Sequence, residues 1–575
     1  MRLIPLGVAV VAAALYFIGL GAAPFIDPPE GFHAEIAREM GQYHDRVTPR
    51  LNGVRYFDKP PMLYWFMSAS FSVAGPTPAA ARFWSALAAV GCAAITARLG
   101  MLLGGPRVGL LAGLMVAANM GFFLFGRFVK PDLVFILCLV LAYAGFTLAY
   151  LGRGRWALGL FYAALGAATL AKDILGAAGP IVVAVLFLVL TRERPWRAWF
   201  PWWGVLVFAF IAVPWYGLVE ARNRGFLWYT IVDNHLLNFM RLRIFPDEDV
   251  PLGSLEFLVV TILAFLPWVT AVPWALARTF RPPWPTTVHR LWLLFGLWAL
   301  VVIGFFTLSP FRLPHYGLPA IPALALLSAR VWDETIAKAP GAVAARVLLV
   351  PPLVVFALVA VAFGLAWADR LPLPPAAMSA VDLTARNFAA RGQSAAQGAL
   401  EPFLPVLAGS FVVFALGTLG MAVAVARRAA GLGAAVALGA VIAFLPLAGE
   451  GMAEFARIRS AQPITEALLK RLGPRDVVIH EGTLEHSGSV LFALDRPVRV
   501  VDGLQSNLAF GATFPEARDV FWDAARLQTA WQEPGRRFLI SVVNRQHSVV
   551  RALPSASVHL LAEAGGRRLY SNVSD

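Results

Sequence analysis

The chain has 575 residues, of which 59% are hydrophobic and only 14% charged, and its mean hydropathy is +0.68. A soluble globular chain carries about 25% charged residues, so that class is excluded and a polytopic membrane protein is indicated. The net charge of +14 invites a nucleic-acid partner, but the placement of the positive residues argues against one.

Apolar runs of roughly 20 residues, long enough to cross the hydrocarbon core, recur at about 4–24, 79–97, 108–126, 131–151, 156–171, 174–191, 203–219, 255–277, 290–308, 314–329, 347–367, 403–425 and 431–448. They predict about 13 transmembrane helices. With the N-terminus cytoplasmic, the short loops of one face carry Arg98 and Arg107, Arg153 and Arg155, Arg192, Arg194 and Arg197, Arg278, Arg281 and Arg290, Arg330, Lys338 and Arg346, and Arg427 and Arg428. This is the positive-inside distribution of a multi-pass membrane protein. The long loops at about 25–78, 220–254 and 368–402, and the C-terminal tail, then fall on the other, outer side. Residues 1–24 also read as a cleavable signal, but a retained first span suits the loop that follows. Cys92 and Cys138 lie inside predicted spans and suggest neither a disulfide framework nor a metal cluster.

In the first outer loop Asp27-Pro28-Pro29-Glu30 reads as a helix start capped by Asp27. Phe32, Ile36 and Met40 follow at four-residue spacing and predict a helix lying in the membrane interface, apolar face down. A second helical piece is expected around Met62–Phe66, after Pro60-Pro61. The membrane domain is placed at 1–450 and an α/β domain on the outer face at 451–575. In the latter, 476–480, 489–494, 498–502 and 537–543 read as strands, and 461–472 and 515–532 as helical.

The chemistry-bearing residues gather at the outer ends of the spans. Asp27 and Glu30 supply a base or merely cap a helix. Asp58-Lys59, between Tyr56 and Pro60-Pro61, offers a phosphate ligand or a snorkelling lysine. Arg127, Lys130 and Asp132 flank one outer helix end against the charge bias, so they need an anionic head group or each other. Lys172-Asp173 reads the same way. Arg241 and Arg243 suit a phosphorylated acceptor or solvent, and His235 with a carboxylate from another loop can share a divalent ion. Arg312, His315 and Tyr316 occupy a proline-interrupted outer end, where backbone tends to line a cavity.

With these residues in hand, the chain resembles the lipid-to-lipid sugar transferases of the GT-C class, in particular the aminoarabinose transferases of lipid A, relatives of the protein O-mannosyltransferases. The matching segments are Glu30–Met40, Arg55–Pro61, Lys172 with Gly176, Pro214-Trp215, His235 and Arg312–Tyr316. The resemblance implies an inverting transferase of the bacterial inner membrane, its outer loops and α/β domain periplasmic, that takes a sugar, aminoarabinose, from an undecaprenyl-phosphate donor to lipid A or a similar envelope acceptor. Tyr56, Lys59, Tyr316 and Arg312 look like the donor-phosphate site, and Asp132 like a second active-site acid beside Asp27 or Glu30. Arg127, Lys130, Arg241 and Arg243 are acceptor candidates, and Asp58 and His235 correspond to positions that hold zinc, in a structural role. The family's Asp-Glu pair reads Pro29-Glu30 here, which leaves the identity of the base open. Membrane lipids are the remaining expected partners, and the enzyme is expected to act as a monomer. A protein O-mannosyltransferase-like enzyme with another acceptor and a secondary transporter are the alternatives. The transporter predicts inverted repeats and midplane acids, and the sequence offers neither.

Overall fold

The computed structural model describes residues 3–246, 250–370, 386 and 400–574. The expected outer loop at 368–402 lies almost wholly outside the described residues. In chain order the membrane helices are α1 (Leu3–Phe17), then, after the loop-borne α2 (Gly31–Gln42) and α3 (Met62–Ala74), α4 (Pro78–Gly104), α5 (Pro106–Ala117), α6 (Met120–Gly126), α7 (Asp132–Tyr150), α8 (Arg155–Ala171), α9 (Ala178–Leu190) and α10 (Trp202–Arg222). There follow α11 (Ser254–Ala264), α12 (Val272–Thr279), α13 (Thr287–Leu308), α14 (Ile321–Ile336), α15 (Ala345–Trp367), α16 (Leu404–Arg427) and α17 (Ala430–Arg459). Each of the thirteen apolar runs is thus helical. Among the described residues seven helices are long and apolar enough to span a bilayer, or nine if the bent pairs α5–α6 and α11–α12 each count once. The shortfall has a simple cause. Helices of 15 to 17 residues such as α1 and α8 reach about 25 Å at 1.5 Å per residue, short of the roughly 30 Å core.

Small residues let the inner helices approach closely: a Cβ on Gly100 of α4 would come within 2.9 Å of the Gly109 Cα of α5. The outer faces are aliphatic and bare. Leu206, Phe210 and Val213 of α10 and Val412, Leu416 and Leu419 of α16 are exposed, as a lipid-facing surface requires.

α17 runs to Arg459, past the expected domain boundary, and leads into α18 (Gln462–Leu469) and the C-terminal domain. Strands β3 (Val477–Glu481), β4 (Arg499–Val501), β5 (Phe521–Trp522), β6 (Arg537–Ser541), β7 (His559–Ala564) and β8 (Arg567–Ser571) form one sheet in the order β5-β4-β3-β6-β8-β7. The first four are parallel, and β8 and β7 pair antiparallel. The run 489–494 is not the expected strand but the helix α19 (Gly488–Leu494); six apolar residues carry no period that separates the two states. The helical run expected at 515–532 is also broken, and only α20 (Ala524–Gln532) is α-helical there.

The first outer loop differs from the sequence expectation at its start. α2 begins after Glu30, and the Asp27 side chain caps nothing on it. The Phe32–Ile36–Met40 stripe is buried in protein, because α2 is packed between α3 and α19, so it is not the lipid-facing stripe the sequence predicts. A short hairpin, β1 (Arg50–Leu51) with β2 (Val54–Arg55), connects α2 to the Asp58-Lys59 turn and α3.

Candidate active site at the outer helix ends

Four separate stretches of chain converge beyond the outer ends of α3, α7, α8 and α13. From the first loop comes Asp58, whose carboxylate accepts from the Lys59 ammonium at 2.5 Å. Burial opposes ionisation of Asp58, but Lys59, with Arg243 behind it, outweighs this and holds the carboxyl below its usual range. From the start of α7 comes Asp132, which pairs with Lys172 at the end of α8 and lies 3.4 Å from His315 Nε2. The Lys172 ammonium sits 4.9 Å from the centre of the Tyr316 ring, a cation–π distance. Lys130, two residues before Asp132, contributes to the potential on both His315 and Asp132.

The second outer loop supplies the opposite wall. Residues Trp228–Leu237 form a π-helix, a local geometry often found at functional sites. His235 Nε2 lies 3.1 Å from the Asp173 carboxylate, and its Nδ1 is 2.5 Å from the Thr230 carbonyl oxygen. Burial works against a charged His235, yet Asp173 overcomes it and raises the imidazole above its usual range. Asp233, fully buried, accepts from the Ile244 amide at 2.7 Å and lies 3.6 Å from Arg243.

Exposure grades across this group. The side chains of Asp173, Lys59 and His235 are 41%, 31% and 22% exposed, whereas Asp132 is 5% and Asp233 0%. The former make a rim that includes the Lys59 ammonium, and the latter a floor.

Sequence reasoning missed His33. Its Nδ1 is 3.0 Å from the Tyr64 hydroxyl, and the ring is buried. Burial, then the ammonium groups of Lys130 and Lys59, hold it well below the usual imidazole range, so it stays neutral. An isolated histidine on an apolar helix face gave no sequence signal.

Other expected site residues are placed elsewhere. Glu30 accepts from Arg82 through Nε and Nη2, each at 2.7 Å, and from the Val129 and Ile26 amides at 3.1 and 3.0 Å. Four donors occupy its oxygens, so it ties the first loop to α4 and to the α6–α7 turn. Asp27 is buried against the C-terminal domain, accepting from the Ser489 amide at 3.1 Å and the Ser489 hydroxyl, with Arg567 at 3.5 Å. Burial raises its carboxyl to about 6. Arg127 donates to the carbonyls of Leu15, Tyr16 and Ile18, closing the end of α1. Arg312 is buried and donates to Ser254 and to the Thr307 carbonyl. Tyr56 is buried beside the Phe32 ring at 5.9 Å, and Arg241 is exposed.

The zinc pair was Asp58 with His235. Both His235 nitrogens are engaged, Asp58 is held by Lys59, and among the described residues no group of three His, Cys, Asp or Glu is arranged to hold a metal ion. The donor set as placed does not fit zinc.

Residues 26–230 match the family model of dolichyl-phosphate-mannose-protein mannosyltransferase. The crystal structure of ArnT from Cupriavidus metallidurans bound to undecaprenyl phosphate superposes with a TM-score of 0.80 at 24% identity, covering 99% of this chain and 98% of that one. The chain has the ArnT fold. The undecaprenyl phosphate-alpha-4-amino-4-deoxy-L-arabinose arabinosyl transferase of Serratia proteamaculans is 29% identical over 338 residues, 57% of this chain and 59% of that protein. A second transferase of that name, from Sodalis glossinidius, is 30% identical over 332 residues, 56% of this chain and 59% of the other. The chain thus spans under two thirds of the curated relatives it matches. The resemblance read from the loops extends to the whole ArnT fold, α/β domain included.

Proposed function

We propose that this protein is an inverting, polyprenyl-phosphate-dependent glycosyltransferase working at the periplasmic face of a bacterial inner membrane. One observation carries the reading. Lys59, Lys130, Lys172 and Tyr316, distant in sequence, join one cluster in which three ammonium groups surround the buried Asp132 and His315. A phosphate held at the membrane surface meets fixed positive charge there, in a partly buried setting where such donors act strongly. The donor is an undecaprenyl-phosphate sugar, and the first sugar to test is aminoarabinose, with lipid A as acceptor.

In this mechanism the acceptor oxygen attacks the anomeric carbon as the bond to the donor phosphate breaks, and the phosphate leaves as an anion. Lys59 and Lys172 neutralise that leaving anion. Asp132 is the carboxylate beside the reacting centre, because it stands with Lys172 and His315 inside the cluster, whereas Glu30 is tied to Arg82 and Asp27 to Ser489 and Arg567. Toward a hydroxyl acceptor Asp132 accepts the proton. Toward a lipid A phosphate, already ionised, it orients the sugar and its amine. A single displacement inverts the anomeric carbon.

Comparing the masses of lipid A extracted with and without this gene tests the acceptor. The expected result is loss of a species heavier by one aminoarabinose; identical mass profiles would remove lipid A from the proposal.

A further inference from the structure

The C-terminal domain contributes no residue to the rim or the floor, yet one segment of it touches both loops that do. We propose that residues 510–516 of this domain hold Asp58-Lys59 in register for the donor phosphate, making Phe510, Gly511 and Glu516 positioning residues. The inference rests on the glycosyltransferase reading and assigns the α/β domain a part in it.

The hairpin leading to Asp58 has only two residues in each strand, and so small a ribbon is marginal on its own. Its end is fixed from outside. Arg55 pairs with Glu516, donates to Asn223 Oδ1 at 2.8 Å and stacks 4.1 Å from the Phe514 ring centre. A Cβ on Gly511 would stand 1.9 Å from the Arg55 carbonyl oxygen, so only glycine allows this approach. The next ring, Phe57, lies 5.6 Å from Phe510 and 5.9 Å from Phe514.

The same Phe510 grips the second loop. It stacks on Tyr229 at 4.4 Å with the rings 3° from parallel, and meets Phe245 edge-on at 5.2 Å. Those two residues bracket Asp233, His235 and Arg243. One aromatic side chain therefore sets the spacing between the Lys59 turn and the His235 wall, and a 1 Å error in such spacing weakens a preorganised site steeply.

The test uses the full-length protein in lipid nanodiscs, with Phe510→Leu and Glu516→Gln. Two quantities are read: amide hydrogen exchange at residues 54–60, and affinity for undecaprenyl phosphate. Faster exchange and an affinity about tenfold weaker are expected. The charge swap Arg55→Glu with Glu516→Arg should recover part of both, which a merely structural defect would not allow. Unchanged exchange, or faster exchange with unchanged affinity, would overturn the proposal. Should the wild-type protein itself fail to bind undecaprenyl phosphate, the donor assignment falls, and with it the phosphate-positioning role.

Discussion

In the proposed mechanism Lys59 is a phosphate ligand restrained by a carboxylate neighbour. Its ammonium rests on Asp58 and is still nearly one third exposed, so an arriving phosphate exchanges one anion for another without desolvating a free charge. Lys59→Ala should therefore weaken undecaprenyl phosphate binding and leave folding intact, whereas Asp132→Asn should slow turnover more than it weakens binding. A split of KM from kcat in steady-state assays checks this pair. Asp27 makes a different kind of expectation. Its carboxyl titrates near 6 in the folded protein, against about 3.9 when unfolded. Because the folded value is the higher one, the stability linked to Asp27 is complete below about pH 4 and is lost as pH rises through 6. The difference amounts to roughly 3 kcal/mol. Thermal unfolding followed from pH 4 to 7.5 should show this slope in the wild type and lack it in Asp27→Asn; equal slopes would contradict the assignment. At this scale the sequence singled out Asp58, Lys59, Asp132, His235 and Tyr316 as candidates because charge at a membrane surface is conspicuous, and the structure brings them near one another. It did not separate Glu30 and Asp27 from that group, since their partners Arg82, Ser489 and Arg567 lie 52 to 540 residues away.

Among the elements, the tie between α4 and the first loop stands out. Glu30 and Arg82 are both almost fully buried, and removing one partner of such a pair leaves an uncompensated charge that costs about 3–5 kcal/mol. Arg82→Leu should accordingly lower the unfolding temperature by several degrees and reduce folded yield, and an unshifted transition would contradict the structural role of Glu30. α2 and α19 meet through two glycines: a Cβ on Gly488 would come 2.1 Å from the Phe32 amide nitrogen. Gly488→Ala is expected to loosen the C-terminal domain, exposing residues 460–475 to limited proteolysis while the membrane helices stay protected. The apolar stripe of α2 was legible in sequence as a helix face, but not what covers it. An interface helix and a helix buried under a distant domain share one pattern, and only the position of α19 decides between them.

Across the whole molecule, hydropathy and loop charge laid out the helical membrane domain and the α/β tail, because each depends on local composition. The number of true crossings was less legible, since a 17-residue helix and a bent pair both read as one apolar run. Sidedness is open to direct labelling: the native Cys92 and Cys138 are buried, so background is low. Cysteines at Lys59 and Lys470 should react with an impermeant reagent from the periplasmic side, and one at Arg281 only after permeabilisation. The most direct test of the account is transfer of radiolabelled aminoarabinose from undecaprenyl phosphate to lipid A by the purified protein. The expected result is transfer by the wild type with inversion at the anomeric carbon, and a loss of about 100-fold or more in Lys59→Ala. Equal transfer by the two proteins would contradict it.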